Sequence, residues 1–464
     1  MSLWIAITYI VGTILAALIS PFLGLIGLIG GILIRFQDRF PVLETYPTFL
    51  FMAFACILGF FLHRKKLGNA DYWPDKYWKW FAGWVFLGLL IKAPSSLMPE
   101  IQFLLSSMVM YYFCSRSLTS EGKYLFMFFI MIAISVGMGY ETTISYLTEP
   151  NSEFAYMPNE DERRMIGLGR YSNANEFGAI LIMPMGMVFG LVMLSRSIFI
   201  KTAAIAAGAF LVYATGLTYS RTCMALFGIM AMTAGALWGK GNAVKKVIVL
   251  GAVGGLLFTF LSIIPGPIQE RFMSILNFNQ DESFLGRQRA WEQGFHMVRN
   301  SPLFGVGMSQ WPEYHGKAPH NSFVQAMAET GFVGIAFYVM ALFYALKVNL
   351  RVIEIPVNDP RYNPRTRILA ICLTATLVGY MVYAFFGNQA YTPFMYIYAG
   401  LCAGIANLVK VTHEKVESDE PDIKGKGKKK KKLKGKKRSK SLNTHEIAVV
   451  PEAESKPRFP QAPR

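Results

Sequence analysis

Charge is what this chain has least of. Only 16% of its 464 residues are Asp, Glu, Lys or Arg, while 53% are hydrophobic, and the mean hydropathy is +0.34. A soluble protein of this length has too little polar surface to cover that much apolar side chain, which excludes a multidomain soluble enzyme. Cysteine is scarce and unpatterned. Cys56, Cys114, Cys223, Cys372 and Cys402 are odd in number, all sit in apolar runs and show no CxxC spacing. They read as small buried hydrophobes, not as a disulfide framework or a thiolate metal site. The signatures HExxH, Walker A and GxSxG are missing, and no DxD-type acidic cluster stands between the apolar runs. Their absence removes zinc peptidases, P-loop NTPases, α/β-hydrolases and metal-dependent nucleotide-sugar transferases from the list. No cleavable signal peptide is evident, since the first apolar run lacks a charged segment before it and another run follows at once.

What the chain has instead is long apolar runs. Crossing a bilayer takes about 20 mostly apolar residues. On that template the segments 3–19, 20–34, 47–62, 77–93, 100–115, 123–139, 174–194, 199–215, 222–239, 244–264, 322–346, 367–386 and 391–410 are expected to be helical. The first two either both cross or form a hairpin that does not, so the expectation is an all-α polytopic membrane protein with 12–13 transmembrane helices.

Basic residues then orient it. Residues 411–464 hold 16 Lys/Arg against 8 Asp/Glu, and 12 of the 17 positions from Lys424 to Lys440 are basic. No aromatic residues interleave with these lysines and no nucleic-acid-binding fold precedes them, so the segment reads as a disordered cytoplasmic tail near acidic headgroups, not a nucleic-acid site. With that tail inside, the Lys/Arg-rich connectors 63–79, 195–201, 240–246 and 347–367 also fall inside. The two long connectors, 140–173 and 265–321, then face outward. The expected division is a transmembrane domain over 1–410 and the tail over 411–464.

Long ordered loops are more often functional than short ones. Three outward features stand out. Ser220-Arg221 opens a span, where Arg221 either anchors the interface or meets an anion. Arg287 and Arg289 precede Trp291, Phe295 and Val298, which at i, i+4 and i+7 suggest one face of a short interfacial helix. On that face Arg287 is placed to clamp a diphosphate, unless it merely pairs with lipid phosphates. His320-Asn321-Ser322 opens the long span 322–346. Asn321 or Ser322 can cap that helix, and a histidine at a helix N-terminus is favoured as neutral imidazole, the form a general base requires. His320 is otherwise a structural, hydrogen-bonded histidine; His296 and His315 read as structural. Between these features Pro302 to Gly307 reads as a tight turn that lets backbone approach closely. Glu329, inside the following span, is expected to face the protein interior, where it either orients a partner or satisfies buried polar groups.

The run Arg287…Trp291, Pro302-Leu303-Phe304-Gly305-Val306-Gly307, His320-Asn321-Ser322-Phe323 and Glu329-Thr330-Gly331-Phe332-Val333-Gly334 resembles the O-antigen ligase-like proteins. That family spans O-antigen ligases, Wzy-type polymerases and bacterial O-oligosaccharyltransferases. Weaker agreement extends to Tyr219-Ser220-Arg221 and Asn173-Ala174-Asn175-Glu176-Phe177, and Pro21-Phe22-Leu23-Gly24 looks like the exosortase-associated O-glycosylation ligase branch. The resemblance implies a GT-C-like helical bundle in the bacterial inner membrane with a large periplasmic loop. It implies transfer of a glycan from undecaprenyl diphosphate to a lipid or protein acceptor, without metal or cofactor. His320 would activate the acceptor hydroxyl. Arg221 and Arg287, with Arg289 as second choice, would hold the diphosphate, supported by Asn175, Trp291, Asn321 and Glu329. A repeat-unit polymerase uses the same donor chemistry. A lipid-linked-sugar transporter is the alternative of another class, disfavoured because the polar residues cluster at the outer face and no internal repeat is visible.

Overall fold

The computed structural model describes residues 2–43, 48–70, 72–149, 151–159, 162–239, 282–356 and 363–409, with single residues at 244, 247, 251 and 359. Its helices are α1 (Leu3–Ile19), α2 (Pro21–Ile34), α3 (Phe36–Arg39), α4 (Thr48–Leu62), α5 (Pro74–Lys92), α6 (Leu97–Ser117), α7 (Glu121–Thr148), α8 (Ala174–Ile182), α9 (Met185–Leu194), α10 (Ile198–Leu217), α11 (Arg221–Trp238), α12 (Glu282–Asn300), α13 (Trp311–Tyr314), α14 (Ser322–Glu354), α15 (Pro364–Ala384) and α16 (Pro393–Gly404). One short hairpin, β1 (Ala155–Asn159) against antiparallel β2 (Glu162–Met165), stands between α7 and α8. The chain is an all-α polytopic membrane protein. Among the described residues seven helices are long and apolar enough to cross a bilayer, and three apolar helices are shorter. Twelve of the thirteen expected segments coincide with helices; 244–264, the start of the 265–321 connector and the 411–464 tail lie outside the described residues.

The helix starts follow local chemistry. Side chains of Ser120, Asn173, Ser197, Ser220, Asn321 and Asn363 each accept a hydrogen bond from a backbone N–H of the first turn they precede. Pro21, Pro74, Pro364 and Pro393 occupy first-turn positions where no N–H is needed. Pro184, lacking an N–H, divides the expected span 174–194 into α8 and α9. The expected span 322–346 continues to Glu354 and kinks at Gly331. The acidic connector expected to face outward begins later than expected, because α7 runs through residue 148.

The core is aromatic at one centre. Trp78 of α5 is fully buried among Tyr111 of α6, Tyr338 of α14 and Tyr396 of α16, with its ring centroid 4.6 Å from that of Tyr396. Four helices meet there. The bundle therefore has two ends. At one end, Lys92 and Ala93 of the α5 terminus lie against Gly307, ahead of the α14 start. At the other, Arg365 at the α15 start pairs with Glu121 and donates to the Leu194 carbonyl at 2.8 Å. The basic connectors 63–79 and 347–367 meet at this second end, where the Arg351 guanidinium lies 3.9 Å from the Trp73 ring centroid; 240–246 lies largely outside the described residues.

Candidate active site

The site is assembled at the first end, on the start of α14. Asn321 caps that helix: its Oδ1 accepts from the Phe323 and Val324 N–H groups at 3.0 and 3.1 Å. Ser322, fully buried, donates to the Gly387 carbonyl at 2.6 Å and accepts from the Gln389 N–H at 2.8 Å. That pair of bonds fixes α14 against the loop joining α15 to α16.

His320 immediately precedes the cap, with a left-handed backbone at φ 45°. Such a conformation costs a non-glycine residue on the order of 1 kcal/mol and persists where both neighbours are pinned. Here they are. The Trp291 indole N–H donates to the Pro319 carbonyl at 2.8 Å, and Asn321 is locked by its capping bonds. His320 is half-buried. Burial, and secondarily the Arg287 guanidinium, hold its imidazole below the ordinary histidine value of 6.5. Both act against the imidazolium, so the ring is kept neutral and able to accept a proton.

Arg287 and Trp291 come from α12, at 19 residues a longer helix than expected. Of the face expected to lie in the interface, Phe295 is turned outward and Val298 is packed inside. Phe295 is 55% exposed, while Ala290, Gly294, Met297 and Val298 are buried. A side chain on Gly294 would strike Val324 and Trp311, so small residues set how closely α12 approaches α14. The packed face runs through Ala290, Gly294, Met297 and Val298, two small residues followed by two larger apolar ones. Arg287 is half-buried beside His320. Arg289, two residues on and so on the far side of the helix, is exposed; its Nε donates to the Leu285 carbonyl at 3.4 Å.

The expected close turn holds α14 from below. The Val306 and Gly307 N–H groups donate to the carbonyls of Ala328 and Glu329, both at 3.0 Å, and the Phe332 N–H donates to the Pro302 carbonyl at 2.9 Å. Gly331, at φ 73° and ψ −176°, breaks the helix ladder and frees the groups that make these bonds. Any Cβ there would collide with the Leu303 carbonyl. Trp84 of α5 closes the arrangement, stacking on Phe304 with centroids 4.5 Å apart and donating to the Thr330 carbonyl at 3.0 Å. Glu329 is buried and faces the protein interior, as expected. Its carboxylate accepts from the Trp311 N–H at 3.2 Å and from the Gln325 amide at 3.4 Å. Of the two readings left open for it, this geometry favours satisfying buried polar groups.

Arg221 enters from a second cluster, as the first residue of α11. Its neighbour Ser220 caps the helix and donates to Asn175 Oδ1 at 2.6 Å, while the Cys223 thiol meets the Asn175 carbonyl at 3.2 Å. Asn175 thus joins α8 to α11 on either side of Arg221. Residues that sequence reasoning passed over connect the clusters. Arg170, Glu176, Tyr380, Tyr383 and Gln389 line a cavity of about 10 Å³, room for one water. Gln389 is the residue bonded to Ser322, and Glu176 follows Asn175. The signal available beforehand was the polar pair Asn388-Gln389 between two apolar spans.

Residues 204–339 match the family model described as O-antigen ligase. This is an O-antigen ligase-like segment. It holds Arg221, Arg287, Arg289, Trp291, His320, Asn321 and Glu329; Asn175 lies before it. The chain is also similar to the exopolysaccharide production protein ExoQ of Rhizobium meliloti (strain 1021), 30% identical over 100 residues. That alignment spans 18% of this chain and 23% of ExoQ. A chain of a solved peptidoglycan synthase complex aligns at 10% identity with a TM-score of 0.42, covering 75% of this chain and 99% of its own length. The similarity is therefore to O-antigen ligases over residues 204–339 and to less than a quarter of the length of ExoQ.

Proposed function

We propose that the protein is a membrane glycosyltransferase that moves a glycan from a polyprenyl diphosphate, undecaprenyl diphosphate in bacteria, to an acceptor hydroxyl. The observation that carries this is His320, held in a left-handed conformation at the start of α14 beside Arg287 and kept neutral by burial. His320 takes the proton of the acceptor hydroxyl as its oxygen attacks the anomeric carbon. The bond from that carbon to the diphosphate oxygen breaks, and the leaving diphosphate collects negative charge. Arg287 is the cation beside His320, and Arg221 of the second cluster joins it on the diphosphate. Paired guanidinium N–H donors stabilise such a leaving group without a divalent metal. Arg289 is the reserve contact, since it lies on the exposed side of α12. Asn175, Trp291 and Asn321 act as positioning residues.

In this reading the site faces the periplasm of the inner membrane and the Lys-rich C-terminal segment faces the cytoplasm. The acceptor is a lipid or protein. A repeat-unit polymerase is the second reading, favoured by similarity to an exopolysaccharide production protein. A deletion strain separates the two: loss of a ligase leaves long lipid-linked chains, and loss of a polymerase leaves single repeat units. His320→Ala is expected to abolish glycan transfer at normal protein abundance; retention of full transfer would sink the general-base role.

A further inference from the structure

A cavity lies at the end of the bundle opposite His320. It measures about 560 Å³ and is lined by Tyr72, Asp75, Lys76, Lys79, Trp80 and Arg116 among others. α5 runs antiparallel to α14, and near the cavity Tyr77 stacks on Tyr344 with centroids 4.8 Å apart. Tyr344 is 24 residues beyond His320, about 36 Å at 1.5 Å per helical residue. The cavity and the candidate active site therefore open on opposite membrane faces.

Among its described residues the charge is unbalanced. Among the described lining residues Asp75 is the one carboxylate, and it is spoken for: Arg116 pairs with it, and the Tyr111 hydroxyl donates to its Oδ1 at 2.7 Å. Arg116 is itself fixed, its guanidinium 4.1 Å from the Tyr72 ring centroid and 4.7 Å from that of Tyr112. With that pair neutral, the exposed Lys76 and Lys79 leave two positive charges at the mouth. Lys76 rests over the Trp80 ring at 4.5 Å. Beside the mouth an apolar lane begins. Trp80, Gly83, Leu87 and Ile91 follow at helical spacing on one exposed side of α5, and the space over Gly83 is open.

We propose that this cavity binds the phosphate headgroup of an anionic phospholipid, with an acyl chain lying along the α5 lane. Two lysines and a wall of aromatic rings suit a phosphodiester anion, and the lane beside them distinguishes a lipid from a free phosphate. The site is separate from the glycan-transfer site and does not depend on the function proposed for it.

The test uses the full-length protein in nanodiscs containing phosphatidylglycerol and phosphatidylcholine, with retained lipid counted by native mass spectrometry after release into detergent. The wild type is expected to retain phosphatidylglycerol preferentially. Each lysine near a membrane surface contributes roughly five-fold in affinity for an anionic lipid, so Lys76→Ala/Lys79→Ala is expected to lose about 30-fold. An unchanged melting temperature confirms that the variant folds. Lys65→Ala/Lys66→Ala removes two exposed lysines that do not line the cavity and is expected to retain the lipid. Undiminished retention in the first variant, equal loss in the second, or displacement of the lipid by inorganic phosphate would each overturn the proposal.

Discussion

Replacing Gly331 by alanine probes the hinge on which the candidate site rests. At φ 73° and ψ −176° this residue occupies a region populated almost solely by glycine, and a side chain there costs about 1–3 kcal/mol in backbone strain. The new Cβ would also push away the Leu303 carbonyl and disturb two nearby bonds, Phe332 N–H to Pro302 and Trp84 indole to Thr330. At about 1 kcal/mol for each bond, the total is about 3–5 kcal/mol, a large part of the usual stability of a folded domain. Thermal unfolding of the purified protein followed by tryptophan fluorescence reads this directly, because Trp84 stacks on the displaced turn. Gly286→Ala is the counterpart. It lies inside α12 with open space around its Cβ, so alanine is expected to stabilise by about 0.5–1 kcal/mol through helix propensity. Equal melting temperatures for Gly331→Ala and the wild type would refute the reasoning that the kink is held by backbone geometry.

Asn321→Ala removes the cap of α14 and is expected to cost about 0.5–2 kcal/mol of stability, with a larger proportional loss of transfer because His320 is the preceding residue. Ser220→Ala and Asn175→Ala remove one shared hydrogen bond between α11 and α8; a double-mutant cycle on unfolding should show coupling of about 0.5–3 kcal/mol, whereas additive effects would mean that the two helices are not joined there. The folded-state value of His320 lies below the unfolded value of about 6.5, so the unfolded chain binds the proton first as pH falls. Stability is therefore fully present above that pH and declines through it, and His320→Gln should flatten this part of the stability curve measured by thermal unfolding.

Most of the architecture was legible in hydropathy because a bilayer imposes one length and one polarity on whatever crosses it. The Asn321 cap and the close approach of the Pro302–Gly307 turn were legible too, since capping and left-handed turns are chemistry of neighbouring residues. Three things were not. The buried face of α12 begins with Ala290 and Gly294, whose close packing against Val324 and Trp311 is a matter of shape that a hydrophobic period does not register. The division at Pro184 follows from its missing N–H, which a reading by hydropathy of the 21-residue apolar run passes over. The link from Ser322 through Gln389 toward Glu176 joins positions far apart in the chain, and only tertiary structure brings them together.

The measurement closest to the central claim is the pH dependence of glycan transfer at saturating donor for the wild type and for Arg287→Gln. A buried neutral base beside a guanidinium predicts an acid limb below pH 6.5 in the wild type. Loss of the cation should raise the histidine's value and carry that limb to higher pH. It should stop short of 6.5, because burial, the larger cause, remains. A wild-type limb at or above 6.5, or one that stays in place when Arg287 is replaced, would contradict the assignment of His320 as the base.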